Sequence, residues 1–472
     1  MTKAAGNRGV VVVGGGAAGI AAAVCAARAG AATTLIEAQG FVGGNSAILP
    51  WLGFHSRDYR QVVRGIAAEL VTDLHRQGHA SGFVLDPVCG SAVSLDNHHY
   101  RIRVMRLLHD AGVRLLLHSP VVGVDRRDDR VTAVHVENKS GRQSIPGDIF
   151  IDASGDGDVG YHAGATWSKG RTADGRVQAP TLVFRVGGVD RTAMVEGLRR
   201  DHGLFRDLLA DHPTVLAKLL DRLPEQDVIV FGGFTRALAE ARQAGTIDVP
   251  ATRVVGVKTH PTDEFAAVST KVADFDPTDT AAISRAYTEA YAQIPQLLAF
   301  FTKAIPGFAG CRLLEIAPML GIRESRRVHG DYLLTTDDVS TGATFPDAVA
   351  IGAYHIDIHR PDGSWVDSRS VRPYDIPLRC LTAKGIENLL IAGKCVSASH
   401  EALASTRVIP TCMAQGQAAG TVAALAAARD KDPREVPYSS LRNRLRHDGA
   451  QLRETLPPAD PALIERYGAL PT

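Results

Sequence analysis

A glycine-rich turn between two apolar segments constrains this chain more than any other feature. Residues 10–23 read VVVVGGGAAGIAAA and residues 35–37 read LIE, which predicts a strand, a helix and a second strand ending in an acid. Gly14 permits a tight turn, Gly16 lets a pyrophosphate approach the helix N-terminus, and Gly19 lets helix and sheet pack closely. Glu37 ends the second strand where a ribose 2′-OH would lie. The unit therefore predicts a dinucleotide site.

Three further segments decide which dinucleotide is expected. Residues 41–46 (FVGGNS) follow the acid and resemble the second glycine pair of FAD enzymes of the glutathione-reductase type, which an NAD dehydrogenase does not need. Residues 149–158 (IFIDASGDGD) resemble the strand that returns to the FAD site in that fold. Residues 388–394 (NLLIAGK) read as a buried strand that delivers a glycine to a loop. Together they indicate FAD as the cofactor.

This resemblance assigns the FAD contacts residue by residue. The predicted FAD-binding residues are Gly14, Gly16, Ala17, Ala18, Gly19, Glu37, Ala38, Gly43, Gly44, Asn45, Ser46, Val122, Ala153, Ser154, Gly155, Asp156, Gly393, Lys394, Thr411, Cys412 and Gly416. A covalent link would need a nucleophile such as His55 or Cys89, but no recognisable attachment motif surrounds either residue. We therefore expect noncovalent binding.

Composition limits the class of partner. The chain has 472 residues, of which 45% are hydrophobic, so it can bury a large core and is expected to form two domains. The 52 basic and 51 acidic residues leave a net charge of +1, which does not indicate a nucleic-acid surface. We expect a small-molecule substrate. No apolar run reaches membrane-spanning length, so no membrane insertion is expected.

The N-terminus and the cysteines bear on the compartment. Residues 1–8 are polar and do not resemble a signal peptide. The six cysteines form no CxxC pair and no metal-type cluster, which is typical of a reducing cytoplasm. We therefore predict a cytoplasmic protein without a redox-active disulfide beside the cofactor.

The predicted fold class is α/β. A Rossmann-like FAD-binding domain of three layers, with a parallel sheet and an antiparallel meander, is interrupted by an α+β substrate or cap domain. The predicted divisions are residues 1–164 for the first part of the FAD domain, 165–380 for the inserted domain, 381–432 for the second part, and 433–472 for a helical tail.

The chain resembles, over most of its length, the FAD-dependent oxidoreductases distantly akin to fumarate reductase and succinate dehydrogenase flavoproteins. Besides the glycine motifs, the resemblance rests on residues 320–327 (LGIRESRR), 354–359 (YHIDIH) and 392–420. Two departures argue against fumarate as substrate and against aromatic hydroxylation. Residues 399–407 lack the compact glycine- and asparagine-rich motif of fumarate reductases, and Lys394 stands where many flavin hydroxylases carry an aspartate.

A predicted helix starting near Pro410 and running to about Ala428 has two interpretations. Proline suits the first turn of a helix, and the free N–H groups there would stabilise negative charge at N1 and C2=O of a reduced flavin. Alternatively, Gly416 and Gly420 mark a packing helix that approaches another backbone closely. The two interpretations are compatible.

The candidate catalytic groups lie in three segments. His400 is the first choice for a proton donor or acceptor near the flavin ring, and Arg407 is predicted to stabilise an anionic flavin or a substrate carbonyl. His355 alternates with isoleucines, so on a strand it shares one face with Asp357 and His359. Acid–base chemistry or substrate contact is predicted for His355, with a structural histidine as the alternative. No metal is expected, because the spacing matches no familiar zinc pattern.

An arginine-rich segment supplies the fourth candidate. Residues 323–327 carry three arginines after an apolar stretch, and Arg323 is predicted to face a substrate carboxylate or carbonyl while the others form salt bridges.

The predicted function is an FAD-dependent oxidoreductase that moves a hydride between flavin N5 and a small organic substrate, by dehydrogenation or reduction of a C–C, C–O or C–N bond. The alternatives are a flavin monooxygenase and a non-enzymatic flavin-binding scaffold or sensor. With one glycine fingerprint, no dedicated NAD(P)H domain is expected, so the electron partner is oxygen, a quinone, a protein or a transiently bound nicotinamide. The sequence leaves open whether the chain forms a homodimer.

Overall fold

The computed structural model describes residues 9–470. The expectation of no signal peptide depends on residues 1–8, which lie outside the described residues. The strands are β1 (Gly9–Val13), β2 (Ala32–Ile36), β3 (Trp51–Leu52), β4 (Val84–Asp86), β5 (Gly90–Ser94), β6 (Arg114–Leu116), β7 (Val121–Arg127), β8 (Arg130–Asn138), β9 (Gly141–Pro146), β10 (Ile149–Asp152), β11 (Trp167–Ser168), β12 (Phe184–Gly187), β13 (Val230–Gly233), β14 (Val254–Lys258), β15 (Phe265–Ala267), β16 (Arg312–Ile316), β17 (Arg327–Val328), β18 (Ala348–Gly352), β19 (Ile356–His359), β20 (Val366–Arg369), β21 (Tyr374–Pro377) and β22 (Leu389–Ile391).

The described α-helices alternate with these strands. They are α1 (Ala17–Arg28), α2 (Gly65–Arg76), α3 (Asn97–Asp110), α4 (Asp158–His162), α5 (Arg191–Arg200), α6 (Pro213–Arg222), α7 (Thr235–Gln243), α8 (Thr280–Ala304), α9 (Thr336–Thr341), α10 (His400–Thr406), α11 (Ile409–Ala427), α12 (Tyr438–His447) and α13 (Pro461–Tyr467). Within residues 9–470, no helix combines the length and apolar character needed to cross a membrane.

A parallel five-stranded sheet organises the first domain. Its order is β22-β10-β1-β2-β6, so the valine-rich β1 lies at the centre with Val12 opposite Ile151 and Leu35. Both faces are covered, because parallel strands must bury both sides. Val10 and Val12 pack in the core on the helical side, whereas Val11 and Val13 pack in the core with the meander β7-β8-β9. These three layers confirm the predicted fold class.

Two helices cover the centre of this sheet in very close contact. A Cβ atom on Gly416 would lie 2.0 Å from the carbonyl oxygen of Ala18, and one on Gly420 would lie 2.1 Å from that of Ala22. Helix α11 therefore lies directly against the α1 backbone. The predicted start of α11 near Pro410 is confirmed, and so is its role as a packing helix.

An antiparallel five-stranded sheet forms the second domain. Its order is β13-β14-β15-β12-β16, and it packs with the 25-residue helix α8. Asp279 caps α8 by accepting a hydrogen bond of 2.9 Å from the backbone N–H of Ala281. The core of this domain contains a cluster of phenylalanines in mutual contact: Phe184, Phe231, Phe234, Phe265, Phe300, Phe301 and Phe308.

The change of core does not coincide with the predicted boundary at residue 380. Leu334, Val349, Ile356 and Tyr374 belong to the core of the first domain, although the sequence analysis assigns them to the inserted domain. The apolar residues of the second core lie mainly between 177 and 322. The tail joins the two domains, because Leu441 enters the first core and α13 contacts α6 of the second.

We expect the substitution Gly420→Ala to destabilise the protein. The added methyl group would overlap the Ala22 carbonyl and force the helices apart, which costs about 1–3 kcal/mol in overpacked cores. Chemical denaturation followed by circular dichroism measures the change. Gly123→Ala is the control, because a Cβ there would lie 3.5 Å from its nearest neighbour. Equal stability of both variants and the wild type would contradict the close contact.

Candidate active site

A cavity that we call the groove lies at the ends of β1, β2 and β10, next to the loops that follow these parallel strands. It is lined by Val13, Gly14, Gly16, Ala17, Ala18, Ile36, Glu37, Ala38, Gln39, Phe41, Gly44, Asn45, Ser46, Ser119, Pro120, Val121, Ala153, Ser154, Gly155, Asp156, Asp158, Met319, Ile322, Arg323, Gly393, Lys394, Arg407, Ile409 and Cys412. Carboxyl ends of parallel strands are where such sheets bind ligands.

The three motif glycines have different roles. Gly14 has a φ of +96°, and a Cβ there would lie 2.3 Å from the Ala153 carbonyl oxygen. A Cβ on Gly19 would lie 1.7 Å from the Gly14 oxygen, so both residues permit backbone packing. A Cβ on Gly16 would meet nothing within 4 Å. Gly16 therefore leaves open space at the N-terminus of α1, where free N–H groups attract an anion.

The acid at the end of β2 is held in the groove by backbone donors. Glu37 accepts hydrogen bonds of 2.6 Å from the Gly15 N–H and 2.7 Å from the Gln39 N–H. Burial raises the pKa of this carboxyl, while the backbone hydrogen bonds act in the opposite direction. The carboxylate position suits a ribose hydroxyl.

The second glycine pair joins the groove to the neighbouring domain. Gly43 has a φ of +119° and donates a hydrogen bond of 2.7 Å to the Gly15 carbonyl. Asn45 donates to the Ile322 carbonyl at 3.3 Å, while its buried Oδ1 has no hydrogen-bond partner among the described residues. An unpaired buried acceptor at this position suits a hydrogen-bond donor of a ligand.

Sixteen predicted cofactor residues line the groove, and five do not. Gly19, Gly43, Val122, Thr411 and Gly416 are absent from its lining. Gly19, Gly43 and Gly416 act instead through backbone packing. Val121 lines the groove in place of Val122, which is 37% exposed, because neighbouring residues of a strand point to opposite faces.

Several lining residues escaped the sequence analysis. Phe41 and Ile322 belong to the recognised segments 41–46 and 320–327 but were not assigned to the cofactor. Gln39 lies between recognised motifs, and Ser119 and Pro120 precede β7. No local pattern marks Gln39, Ser119, Pro120 or Met319, since only the fold brings them to the groove.

A second cavity of about 250 Å³ adjoins the groove, and we call it the cap cavity. It shares Asn45, Arg323, Arg407 and Ile409 with the groove. Its other lining residues are Ile48, Leu49, Trp51, Val88, Cys89, Thr181, Val183, Arg206, Leu208, Val230, Phe231, Gly232, Arg253, Val255, Val257, Val268, Gly321, Tyr354, His355, Asp357, His359 and Val408. The antiparallel sheet thus supplies an apolar wall and residues 354–359 a polar one.

The polar wall is a connected network of ionisable side chains. Asp357 Oδ2 accepts from Arg407 at 3.2 Å and lies 3.3 Å from His359 Nε2. Lys271 Nζ lies 2.7 Å from the other ring nitrogen of His359. Burial lowers the pKa values of Lys271 and His359. Burial acts to raise the pKa of Asp357, but the contacts with His359 and Arg407 outweigh it and hold that pKa well below its usual range. Asp357 is therefore an ionised anchor for Arg407.

His355 has a free ring nitrogen in this setting. The residue is 4% exposed and lines the cap cavity, and its Nδ1 has no hydrogen-bond partner among the described residues. The Tyr354 ring lies 4.1 Å from the imidazole, centroid to centroid. Burial lowers the pKa of His355 to about 3, so the ring is neutral near pH 7 and its free nitrogen can accept a hydrogen bond.

Arg323 lies at the junction of the two cavities. It donates hydrogen bonds of 2.8 Å to the Ala179 carbonyl and 2.9 Å to the Thr181 hydroxyl. Burial and the neighbouring Arg407 lower its pKa to about 9. No carboxylate within residues 9–470 forms an ion pair with Arg323, so its charge is available to a ligand.

His400 occupies a different position from the one expected beside the ring. It lines neither cavity, is 5% exposed, and its Nδ1 lies 2.9 Å from Glu324 Oε2. Glu324 also pairs with Arg327. His400 is thus part of a buried hydrogen-bond network with Glu324 and Arg327, and this placement does not suit direct proton transfer to a ligand.

The N-terminus of α11 also reaches the junction. Ile409 and Cys412 line the groove, and the helix has its N-cap at Val408 without a side-chain capping bond. Its first N–H groups are therefore free to stabilise negative charge on a ligand. Gln415 of the same helix accepts a hydrogen bond of 2.9 Å from the Gly393 N–H, which ties α11 to the loop after β22.

One group of side chains within residues 9–470 has the composition of a metal site. Ligand atoms of His79, Asp96 and His99 lie within 4.8 Å of one another. Asp96 caps α3 by accepting from the N–H groups of His98 and His99, and the rings of His79 and His99 stack at 3.4 Å. The group lines neither cavity, and these contacts account for its arrangement.

Comparison with known proteins identifies the family. The sequence profile described as FAD dependent oxidoreductase matches residues 9–445. This chain belongs to the FAD-dependent oxidoreductase family. It is therefore an enzyme that uses FAD, as the sequence motifs predict. No curated protein sequence matches it significantly.

Solved structures resemble this chain at low sequence identity. A geranylgeranyl bacteriochlorophyll reductase-like protein from Thermoplasma acidophilum has 13% identity and a TM-score of 0.48, over 93% of this chain and 83% of that one. The p-nitrophenol 4-monooxygenase PnpA from Pseudomonas putida DLL-E4 has 14% identity and a TM-score of 0.45, over 97% and 92%. L-Proline dehydrogenase from P. horikoshii has 12% identity and a TM-score of 0.44, over 95% and 99%.

The residues present fit FAD. Gly16 opens the cradle at α1, Glu37 suits a ribose, and Asn45 offers an unpaired acceptor near the junction. Among the described residues that line the groove, Cys412 is the one histidine, cysteine or tyrosine. Burial raises the pKa of Cys412 to about 12, which makes its thiol a poor nucleophile. Noncovalent attachment remains the prediction.

Gly16→Val should yield a folded protein that lacks FAD. The backbone at Gly16 is extended and a Cβ meets no protein atom, so valine is tolerated by the chain but would occupy the pyrophosphate position. The ratio of flavin to protein after purification measures the loss, and circular dichroism reports the fold. Gly16→Ala should show a smaller loss. A stoichiometric FAD content in Gly16→Val would contradict the assignment of the groove.

The low pKa of His355 predicts a pH-dependent stability. The unfolded ring, with a pKa of about 6.5, binds a proton before the folded ring does, so the stability falls with pH below that value. Between pH 7.5 and 5.5 the wild type should lose about 1.4 kcal/mol more than His355→Asn. Urea denaturation at both pH values tests this. Equal losses would show that folding does not lower the pKa of His355.

Proposed function

We propose that this enzyme is a dehydrogenase, or a reductase in the reverse direction, acting on a small organic substrate in the cap cavity. The bond that changes is C–C, C–O or C–N. Bound FAD supplies the hydride chemistry at N5, and the protein orients the substrate and moves a proton. The proposal rests on the junction, where Arg323 and Arg407 line both cavities.

Each polar residue of the junction has a separate task in this proposal. Dehydrogenation releases a proton together with the hydride, and His355 takes that proton at Nδ1 when the negative charges of Asp357 and of an anionic substrate offset the burial that lowers its pKa. Arg323 and Arg407 stabilise negative charge that develops on a substrate oxygen or nitrogen. Asp357 holds Arg407 in place through its hydrogen bond and is a positioning residue. The N-terminus of α11 favours the anionic form of the reduced cofactor.

Anaerobic mixing of the purified protein with candidate alcohols, amines and acids tests the reaction. Loss of the visible flavin absorption with substrate alone supports a dehydrogenase. A monooxygenase would require NAD(P)H for that loss and would place oxygen from air in the product. A protein whose flavin no substrate or reductant changes would be a binding scaffold or sensor. Admission of oxygen, a quinone or NAD(P) to the reduced protein then identifies the electron acceptor.

His355→Asn should slow flavin reduction by substrate about 100-fold to 10,000-fold without loss of FAD, because this is the usual effect of removing a general base. Stopped-flow measurement of the reductive half-reaction reports the rate. His400→Asn is the paired variant, since His400 is buried against Glu324 and lines neither cavity. A large loss in His400→Asn with none in His355→Asn would return the proton-transfer role to His400.

A further inference from the structure

The charges of the cap cavity do not balance. Four arginines line it, and two of them have carboxylate partners: Arg206 pairs with Asp86 at 2.8 Å and Arg407 pairs with Asp357 at 3.2 Å. Arg323 and Arg253 form no ion pair with any carboxylate of residues 9–470. Buried charges are normally paired, so two positive charges here lack their partners.

The two unpaired arginines occupy different places. Arg323 lines both cavities, so its charge faces the junction with the cofactor. Arg253 immediately precedes β14, lines the cap cavity and does not line the groove. Arg253 therefore lies in the part of the cap cavity that is not shared with the groove.

The donors of Arg253 are buried and unused. Its Nε and Nη1 atoms have no hydrogen-bond partner among the described residues, and its guanidinium lies 5.6 Å from the Trp365 ring. Burial lowers the pKa of Arg253, and the nearby Asp357 acts against this change. An arginine in this state pays the cost of desolvation unless a ligand accepts its hydrogen bonds.

The wall beside Arg253 is apolar. Val230, Phe231, Val255, Val257 and Val268 belong to the antiparallel sheet or follow directly from it, and all line the cap cavity. Ligand pockets of this type bind an apolar body and use a few polar groups to orient it.

We propose that the substrate is a carboxylic acid with an apolar body, and that Arg253 binds its carboxylate while the valine-rich wall contacts the rest. This inference deepens the proposed function, because it takes the cap cavity as the substrate site. The reacting carbon then lies beside Arg323 and Arg407, where the cap cavity meets the groove. Arg253 is a specificity-determining residue, with no part in hydride or proton transfer.

Isothermal titration calorimetry of the FAD-loaded protein tests the proposal with matched probes. Hexanoate and phenylacetate carry the carboxylate, whereas hexanamide and phenylacetamide have the same apolar bodies without the charge. The acids should bind the wild type about 30-fold to 1,000-fold more tightly than the amides, the range expected for a buried charge pair.

Three variants separate the role of Arg253 from general charge effects. Arg253→Met should remove the preference for the acids, and Arg253→Lys should retain part of it. Arg199→Met removes a charge from the same domain at a side chain that is 48% exposed, and should leave binding unchanged. Unchanged affinity of the acids in Arg253→Met, or failure of both acids to bind the wild type at millimolar concentration, overturns the proposal.

The measurement is independent of the proposed reaction. Binding is read from heat, so acids that bind through Arg253 without ever reducing the flavin would contradict the dehydrogenase and support the carboxylate site. Flavin reduction by neutral substrates, with no effect of Arg253→Met, would support the dehydrogenase and contradict the carboxylate site.

Discussion

The close contact between the α1 and α11 backbones controls the position of the whole site. Glycines at 416 and 420 let α11 lie on the carbonyls of Ala18 and Ala22, and Gly19 lets α1 lie against the turn after β1. A Cβ atom at either glycine would overlap these carbonyl oxygens, so larger side chains would force the two helices apart. Because both helices begin at the same edge of the sheet, their free N–H groups reach one groove.

A second constraint is the electrostatic imbalance where the two domains meet. The cap cavity has four arginines and one ionised carboxylate, Asp357, in its lining. Burial strengthens the effect of each unpaired charge, because water no longer screens it. Such a site favours electron-rich ligands and developing negative charge. This physical property links the family chemistry of FAD to the kind of substrate proposed for this enzyme.

The sequence predicted the nucleotide half of the site in detail but the catalytic half incompletely. Gly14, Gly16 and Glu37 follow one another within a single βαβ unit, where local geometry fixes their relative positions. Val122 shows the limit of this reasoning, since the neighbouring Val121 lines the groove. Neighbouring residues of a strand point to opposite faces, so a prediction that is wrong by one residue names a side chain on the wrong face. No sequence pattern in the turn before β7 indicates which of the two valines faces the groove.

His355 and His400 show what sequence could not resolve. Both precede or begin a regular element close to a recognised motif, and both are buried. Glu324 lies 76 residues before His400 in the chain and forms its hydrogen bond, whereas Nδ1 of His355 stays unpaired. The difference arises from long-range packing alone, so spacing within either segment carries no information about it.

The sequence by itself determined the βαβ unit, the choice of FAD and the position of α11, because each depends on residues within one or two neighbouring elements. The tertiary structure decided which charged groups share a cavity. Arg253, Arg323, His355 and Arg407 come from four separate segments, and only the packing of the antiparallel sheet over residues 354–359 brings them together. The interaction between their charges depends on the distances between them, and only the fold sets those distances. Their shared role could therefore be inferred from the structure and not from the sequence.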